Sequence, residues 1–517
     1  MHRFRALPKL RCRGSAHPVA MIFGVSLIVA GVLVGMLSLL TGSASTSGVP
    51  GKKPLIVMVG ASLKPAFDAV AKAYREQYGI EIQAQYDASD NLLNAIKIAR
   101  TGDLFLPAEE LYLQRAREQG LAREIIPVAH TRPVIAVRRG NPKKITGLRD
   151  LLRPDVRVGV ASPAAAIGRL SQEAFVKSGN GDAFAARRSN SDSKFSDLGK
   201  EPEVANSIKL DAVDAGIIWD ASVTRYPELE GVSDPVFDAL DQQVSIGVLE
   251  CSTDATRALH FARFLSARDR GLPQFKTAGY RVVDGDEWAE NPQLTVFLGA
   301  MLRPAMTETL KDFAAREGLP PINTTYNGCG ILVGQMKTGA RPDMYFACDT
   351  SFMSQVQDLF QKADVISANE MVIVVKKGNP LSIKELKDLT QPGLKLGVGE
   401  ERQCALGWLT KDVLDRSALC EKVEKNIAVR STTGDMLIAQ MPALDAAIVY
   451  RSNAMLIKDR YDVVPVDLPQ HFAQQPVAVA KESKYRQLTE RLLEAIRSSE
   501  SQARFRENGF QWIPKPK

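Results

Sequence analysis

After residue 50 the chain repeats itself, and this repeat limits the possible folds more than any other feature. Val57-Met-Val-Gly-Ala-Ser-Leu-Lys-Pro-Ala66 matches Val296-Phe-Leu-Gly-Ala-Met-Leu-Arg-Pro-Ala305. Arg138-Arg-Gly-Asn-Pro142 matches Lys376-Lys-Gly-Asn-Pro380, and Asp214-Ala-Gly-Ile-Ile-Trp219 matches Asp445-Ala-Ala-Ile-Val-Tyr450. Arg157-Val-Gly-Val160 pairs with Lys395-Leu-Gly-Val398, and Phe275–Tyr280 with Phe505–Phe510, always in the same order. Solenoid units run about 20–50 residues, and these copies are far longer. The repeat therefore predicts two duplicated domains, residues 54–288 and 292–517, with the boundary near Trp288 to Pro292.

Each copy alternates short apolar runs with amphipathic stretches. Leu55–Gly60 reads as a buried strand, and Pro65–Tyr78 shows helical spacing at Phe67, Val70, Ala71 and Tyr74. Glu81–Tyr86, Val134–Arg138 and Val156–Val160 read as strands, and Leu92–Arg100 as a helix. The pattern is α/β with mainly parallel sheets. Ligands of such sheets bind beyond the carboxyl ends of the strands, where loops enter helices.

Val19 to Leu40 carries no charge and is long enough to span a bilayer as a helix. The expected layout is a basic cytoplasmic N-terminus (1–18), a transmembrane anchor or uncleaved signal (19–40) and a Ser/Thr/Gly-rich linker (41–53). A signal peptide cut after Gly42-Ser43-Ala44 is the rival; either way the repeats lie outside the cytoplasm. The net charge is +7, and Arg3, Arg5, Lys9, Arg11 and Arg13 supply five of it, which leaves +2 after residue 50. That balance offers no basic stripe for nucleic acid.

Four segments of the first repeat stand at strand ends, three with small residues and one with an aromatic. In Gly60-Ala-Ser-Leu-Lys-Pro65 the start of a helix favours an anion, with Ser62 adding a donor; the plainer role for Ser62 is a helix cap. Ser89 in Tyr86-Asp-Ala-Ser-Asp90 has the same two roles open. Asp103-Leu-Phe-Leu-Pro-Ala108 brings a backbone N–H of Ala108 to a strand end, and Trp219 closes an apolar strand, where it serves as ligand contact or core.

Taken together, these elements resemble the molybdate-binding family of type II periplasmic solute-binding proteins of ABC transporters. The family's Ala-Ala-Ser-Leu turn, second ligand serine, Asp-Ile-Phe-Ile-Ser-Ala strand, Ala-Gly-Ile-Val-Tyr strand and closing Tyr-Gly-Phe are echoed in order at Gly60–Leu63, Ser89, Asp103–Ala108, Ala215–Trp219 and Ala278–Tyr280. The resemblance covers nearly all of both repeats. It implies two tandem modules, each of two α/β lobes with a cleft, and no enzyme, metal or cofactor. It implies that Ser62, Ser89 and Ala108 contact a tetrahedral oxyanion such as molybdate or tungstate and that an ABC permease is a partner; the segment 19–40 adds the membrane as a partner and places the modules in the periplasm or extracellular space. Around Ile167 and Val204 the match is too loose to assign contacts.

The chain departs from the family at several places. Trp219 replaces a tyrosine, and Asp87, Asp90 and Glu109 bring negative charge toward the site. In the second repeat Met301, Cys329 and Cys348 stand where Ser62, Ser89 and Ala108 stand, while Tyr450 is kept. The second copy is thus not expected to bind the same anion, and a membrane-tethered sensor or interaction protein built from degenerate modules is the alternative. For its cysteines a Cys329–Cys348 disulfide, a soft-metal site with Cys404 and Met301, and unlinked thiols all stay open. His130, His260 and His471 have no metal-ligand spacing, and neither a GxSxG elbow nor a P-loop occurs. The acid pairs Glu109-Glu110 and Glu400-Glu401 read as a solvated face or loop.

Overall fold

A computed structural model describes residues 53–190, 194–466, 468 and 471–514. The expected anchor at 19–40 lies outside these residues, and among those described no helix is long and apolar enough to cross a membrane.

The apolar run Leu55–Gly60 forms strand β1, buried along most of its length. It lies between β2 (Ile82–Asp87) and β3 (Leu104–Leu106) and is parallel to both. The helix Lys64–Tyr78 buries Ala66, Phe67, Val70 and Tyr74 on one face, with Pro65 in its first turn. It stops at Gly79, whose φ of 65° is the left-handed conformation that suits a helix C-terminus.

The chain then runs along β4 (Ala122–Thr131), breaks at Arg132 and continues as β5 (Pro133–Arg138) into a second sheet. That sheet is built with β6 (Val158–Ala161), β7 (Phe195–Leu198), β8 (Ala215–Trp219) and β9 (Leu229–Val232), in the order β7-β6-β8-β5-β9. The chain returns along β10 (Gln242–Leu249) and ends the module at β11 (Arg281–Val282), giving a first sheet of order β11-β4-β10-β3-β1-β2. Two lobes result. The sheets are mixed, not mainly parallel. The outgoing β4 and returning β10 cross side by side in opposite directions, and β5 pairs antiparallel with β8 and β9.

The second module repeats the plan with β12 (Thr295–Gly299), β13 (Asn323–Asn327), β14 (Met344–Phe346), β15 (Asp364–Lys376), β16 (Leu396–Gly399), β17 (Ile427–Ser431), β18 (Ala446–Tyr450), β19 (Tyr461–Pro465), β20 (Phe472–Val479) and β21 (Gln511–Trp512). Here β15 does not break where β4 gives way to β5. It pairs with β20 in one lobe and with β18 and β19 in the other, so both lobes share one ten-stranded sheet.

Residues 54–517 make one compact unit. The segment 283–294 between the modules carries neither helix nor strand. Buried charge joins the modules: Glu317 pairs with Arg263 at 3.0 Å and with Arg491 at 2.6 Å. Burial alone would raise the Glu317 carboxyl, but Arg491 and Arg263 hold it below the usual carboxylate range. Asp286 accepts hydrogen bonds from the backbone N–H of Gln487 (2.8 Å) and Leu488 (2.9 Å) at the start of the helix Arg486–Ile496.

Candidate functional site

In module 1 the helix starts of both lobes meet at a cavity of about 20 Å³. The first lobe brings Gly60, Ala61 and Ser62, then Asp87 to Ser89, then Ala108. The second lobe brings Ala165 to Ile167, then Lys200 and Glu201, then Trp219. Helices Lys64–Tyr78 (entered through a 3-10 turn at Ala61–Leu63), Ser89–Ala99, Ala166–Lys177 and Glu201–Lys209 thus point their N-terminal ends at one place. No side chain caps any of the four. Helix N-termini carry free N–H groups and a partial positive charge, so such a convergence favours an anion. The cavity has room for about one water molecule. A tetrahedral ion with four oxygens therefore requires the lobes to part.

All four residues singled out in this repeat, Ser62, Ser89, Ala108 and Trp219, line the cavity. Capping is not their role. Ser62 sits inside the 3-10 turn, and Ser89 is the first helical residue after an Ala88 N-cap. The buried Ser89 hydroxyl instead accepts a 3.1 Å hydrogen bond from the Ala108 N–H, tying two strand ends together. Gly60 permits this closeness, since a Cβ there would come within 2.9 Å of the Ala108 nitrogen. Trp219 is fully buried at the end of β8.

Two of the three carboxylates expected to repel an anion are answered by cations, while Asp90 accepts a hydrogen bond from the Asn94 side-chain amide at 3.2 Å. Asp87 pairs with Lys200 at 3.0 Å, across the two lobes. Glu109 is buried, not solvated, and pairs with Arg169. Its neighbour Glu110 accepts from Ser245 Oγ at 2.6 Å, so this acid pair is not a solvated face. Glu400 and Glu401 do lie in a turn, where Glu400 accepts from the Arg402 and Gln403 N–H groups.

Four lining residues were not legible in the sequence: Ala165, Ala166, Lys200 and Glu201. Ile167 reaches the cavity, but Val204 is core, lying over Gly159 and Gly216. The available signal was Lys200-Glu201-Pro202, since a proline in the first turn marks a helix start.

Module 2 superimposes thiols on this plan. Cys329 opens the helix Cys329–Lys337 as Ser89 opens its helix, and its sulfur accepts from the Cys348 N–H at 3.0 Å. The described cysteines are free thiols, with the Cys329 and Cys348 sulfurs 2.7 Å apart. Met301, Cys329, Cys348, Cys404 and Tyr450 are all buried within one continuous apolar core, and the Tyr450 hydroxyl has no hydrogen-bond partner. Burial pushes the Cys404 thiol up to about 12, and contact with Cys329 raises Cys348. Among the described residues no group of three or more His, Cys, Asp or Glu side chains is arranged to hold a metal ion.

Two-lobed α/β modules crossed by paired strands, with helix starts facing each other between the lobes, define a type II solute-binding architecture. The chain belongs to the bacterial extracellular solute-binding protein family, whose profile matches residues 55–281 and again 294–511, a tandem duplication. Among its relatives, the molybdate-binding protein ModA of Mycobacterium tuberculosis is 28% identical over 175 residues, covering 33% of this chain and 66% of that protein. ModA of Escherichia coli is 23% identical over 188 residues, covering 34% and 72%. Among solved structures, the periplasmic molybdate-binding protein of Azotobacter vinelandii is 15% identical with a TM-score of 0.38, covering 43% of this chain and all of that one. The sulfate-binding protein SubI of Mycobacterium tuberculosis is 19% identical with a TM-score of 0.38, covering 53% and 94%.

Proposed function

We propose that module 1 captures a tetrahedral oxyanion, molybdate or tungstate in class, outside the cytoplasm and delivers it to an ABC-type permease. The observation that carries this reading is the meeting of four uncapped helix N-termini around Ser62, Ser89 and the Ala108 backbone. Closure of the lobes by a hinge at Arg132 would enclose the ion. The kinship with ModA proteins supports the same class of ligand. Module 2, with the Met301 thioether and the Cys329 thiol in place of the Ser62 and Ser89 hydroxyls, is assigned a supporting role rather than a second site for this anion. Titration of the full chain with molybdate, tungstate and sulfate, followed by calorimetry and by melting temperature, tests the reading. A ligand of the folded state raises the melting temperature. No rise and no heat with any of the three would refute it.

A further inference from the structure

The module 1 cavity contains one group that an anion site does not call for. Glu201 begins the helix Glu201–Lys209, lines the cavity and is 3% exposed. Both of its carboxyl oxygens are buried without a hydrogen-bond partner. Its nearest cation is Arg225, at 3.9 Å. That guanidinium is turned elsewhere: Nη1 donates to the Ser62 carbonyl at 2.8 Å, and Nη2 donates to the Ser222 hydroxyl. Lys200, the residue before, is drawn away to Asp87. Asp220 accepts from the Thr131 hydroxyl at 2.7 Å and from the Arg132 N–H. Tyr226 and Tyr280 interact with Glu201 through phenols whose own ionisation burial opposes. Burial, only partly offset by Arg225 and by the nearby Ser222 hydroxyl, therefore holds the Glu201 carboxyl above the usual range. In module 2 the corresponding helix is Gly434–Gln440, capped by the Thr433 side chain, and a glycine opens it.

An ionised Glu201 would stand beside a bound dianion with little between them, and like charges at such range oppose each other strongly in a buried site. A neutral carboxylic acid reverses the sign of the contact, because its O–H is a donor. We propose that Glu201 determines what module 1 accepts: as a neutral acid it donates its proton in a hydrogen bond to an oxygen of the bound oxyanion, so the site holds a dianion together with one proton. No covalent bond forms or breaks; the proton stays on, or is shared from, the carboxyl oxygen. This inference rests on the oxyanion reading of the same cavity.

The experiment measures molybdate affinity of the full chain from pH 5 to pH 9 in the wild type and in Glu201→Gln, whose amide cannot ionise. In the wild type the affinity falls as pH rises, approaching tenfold per pH unit once the carboxyl ionises in the free protein. In Glu201→Gln this fall is absent, the variant binds at least tenfold more tightly than the wild type at pH 9, and the gap narrows toward pH 5. Equal pH slopes in the two proteins would overturn the proposal while leaving oxyanion binding intact. Absence of binding in both proteins across the whole pH range would instead sink the oxyanion reading and this inference with it. Infrared spectra of the ligand-free protein, followed from acid to alkaline pH, give a check that needs no ligand. A protonated-carboxyl band lost in Glu201→Gln is expected, and identical spectra would overturn the proposal.

Discussion

Lys200 and Asp87 form an ion pair at 3.0 Å that joins the two lobes of module 1 directly over its cavity. Asp87 ends β2 in the first lobe, and Lys200 precedes the helix Glu201–Lys209 in the second. Burial opposes ionisation of Asp87, but Lys200 and the Ala88 N–H hold its carboxyl below the usual range. Both side chains are more than a third exposed, so the pair latches the closed form weakly. Lys200→Gln is expected to weaken ligand binding roughly two- to fivefold, through faster release, with little change in melting temperature. Stopped-flow release of molybdate checks this; an unchanged release rate would show that the pair is no latch.

Ser89 and Ser62 are expected to separate in their effect on folding. Ser89→Ala strands the buried Ala108 N–H and should cost about 1–3 kcal/mol of stability. Ser62→Ala removes no cap and no such acceptor role, and should cost less. Both should weaken oxyanion binding. Urea denaturation beside calorimetry on the two variants measures the difference, and equal stability losses would contradict it.

Glu317→Gln should be the most damaging single change at the junction of the modules. It leaves Arg263 and Arg491 buried without their counter-charge, an effect of about 3–5 kcal/mol. The folded-state carboxyl of Glu317 lies below its unfolded value, so its contribution is present above about pH 4.3 and is lost as pH falls through the folded value. The stability gap between wild type and variant should therefore be widest near neutral pH and shrink in acid. A gap independent of pH would exclude the ionised carboxylate as its source.

Glu201 carries the opposite sign. Its folded-state carboxyl is raised, so its contribution is complete below about pH 4.3 and is lost as pH rises through the folded value. Wild type should lose stability relative to Glu201→Gln as pH climbs from 4 to 9. Melting curves across that range, without ligand, read this directly, and a relative gain with pH would be incompatible with a strained buried carboxyl.

The thiols of module 2 should be slow to react. Cys329, Cys348 and Cys404 are buried, and the last two are pushed toward the protonated form, whereas the thiolate is the nucleophile. In the reduced native protein an alkylating reagent at pH 8 should mark Cys420 and Cys251 before the other described cysteines. In an oxidising compartment the adjacent Cys329 and Cys348 are expected to join as a disulfide. Mass spectrometry of protein secreted without reductant would show a cross-linked peptide pair; two free thiols there would exclude the bond.

Much of module 1 could be read from residue order. β1 is a continuous apolar run, the helix after it has Phe67, Val70 and Tyr74 at one face, and small residues after strands mark loops that enter helices. These signals are local, because a strand's burial and a helix's face are set within a few residues. Ser62, Ser89, Ala108 and Trp219 were legible for the same reason: each sits at the end of a run.

The sequence by itself determined the duplication, the opening strands and helices of the first copy and the exchange of the Ser62 and Ser89 hydroxyls for sulfur in the second. Only the tertiary structure decided the direction of strand pairing, which follows from β4 and β10 crossing between lobes with more than a hundred residues between them. It alone set Lys200 against Asp87, Arg169 against Glu109 and an unpartnered Glu201 into the cavity. A carboxylate's character depends on what lies within a few ångströms of it, and those neighbours come from distant parts of the chain that only folding brings together.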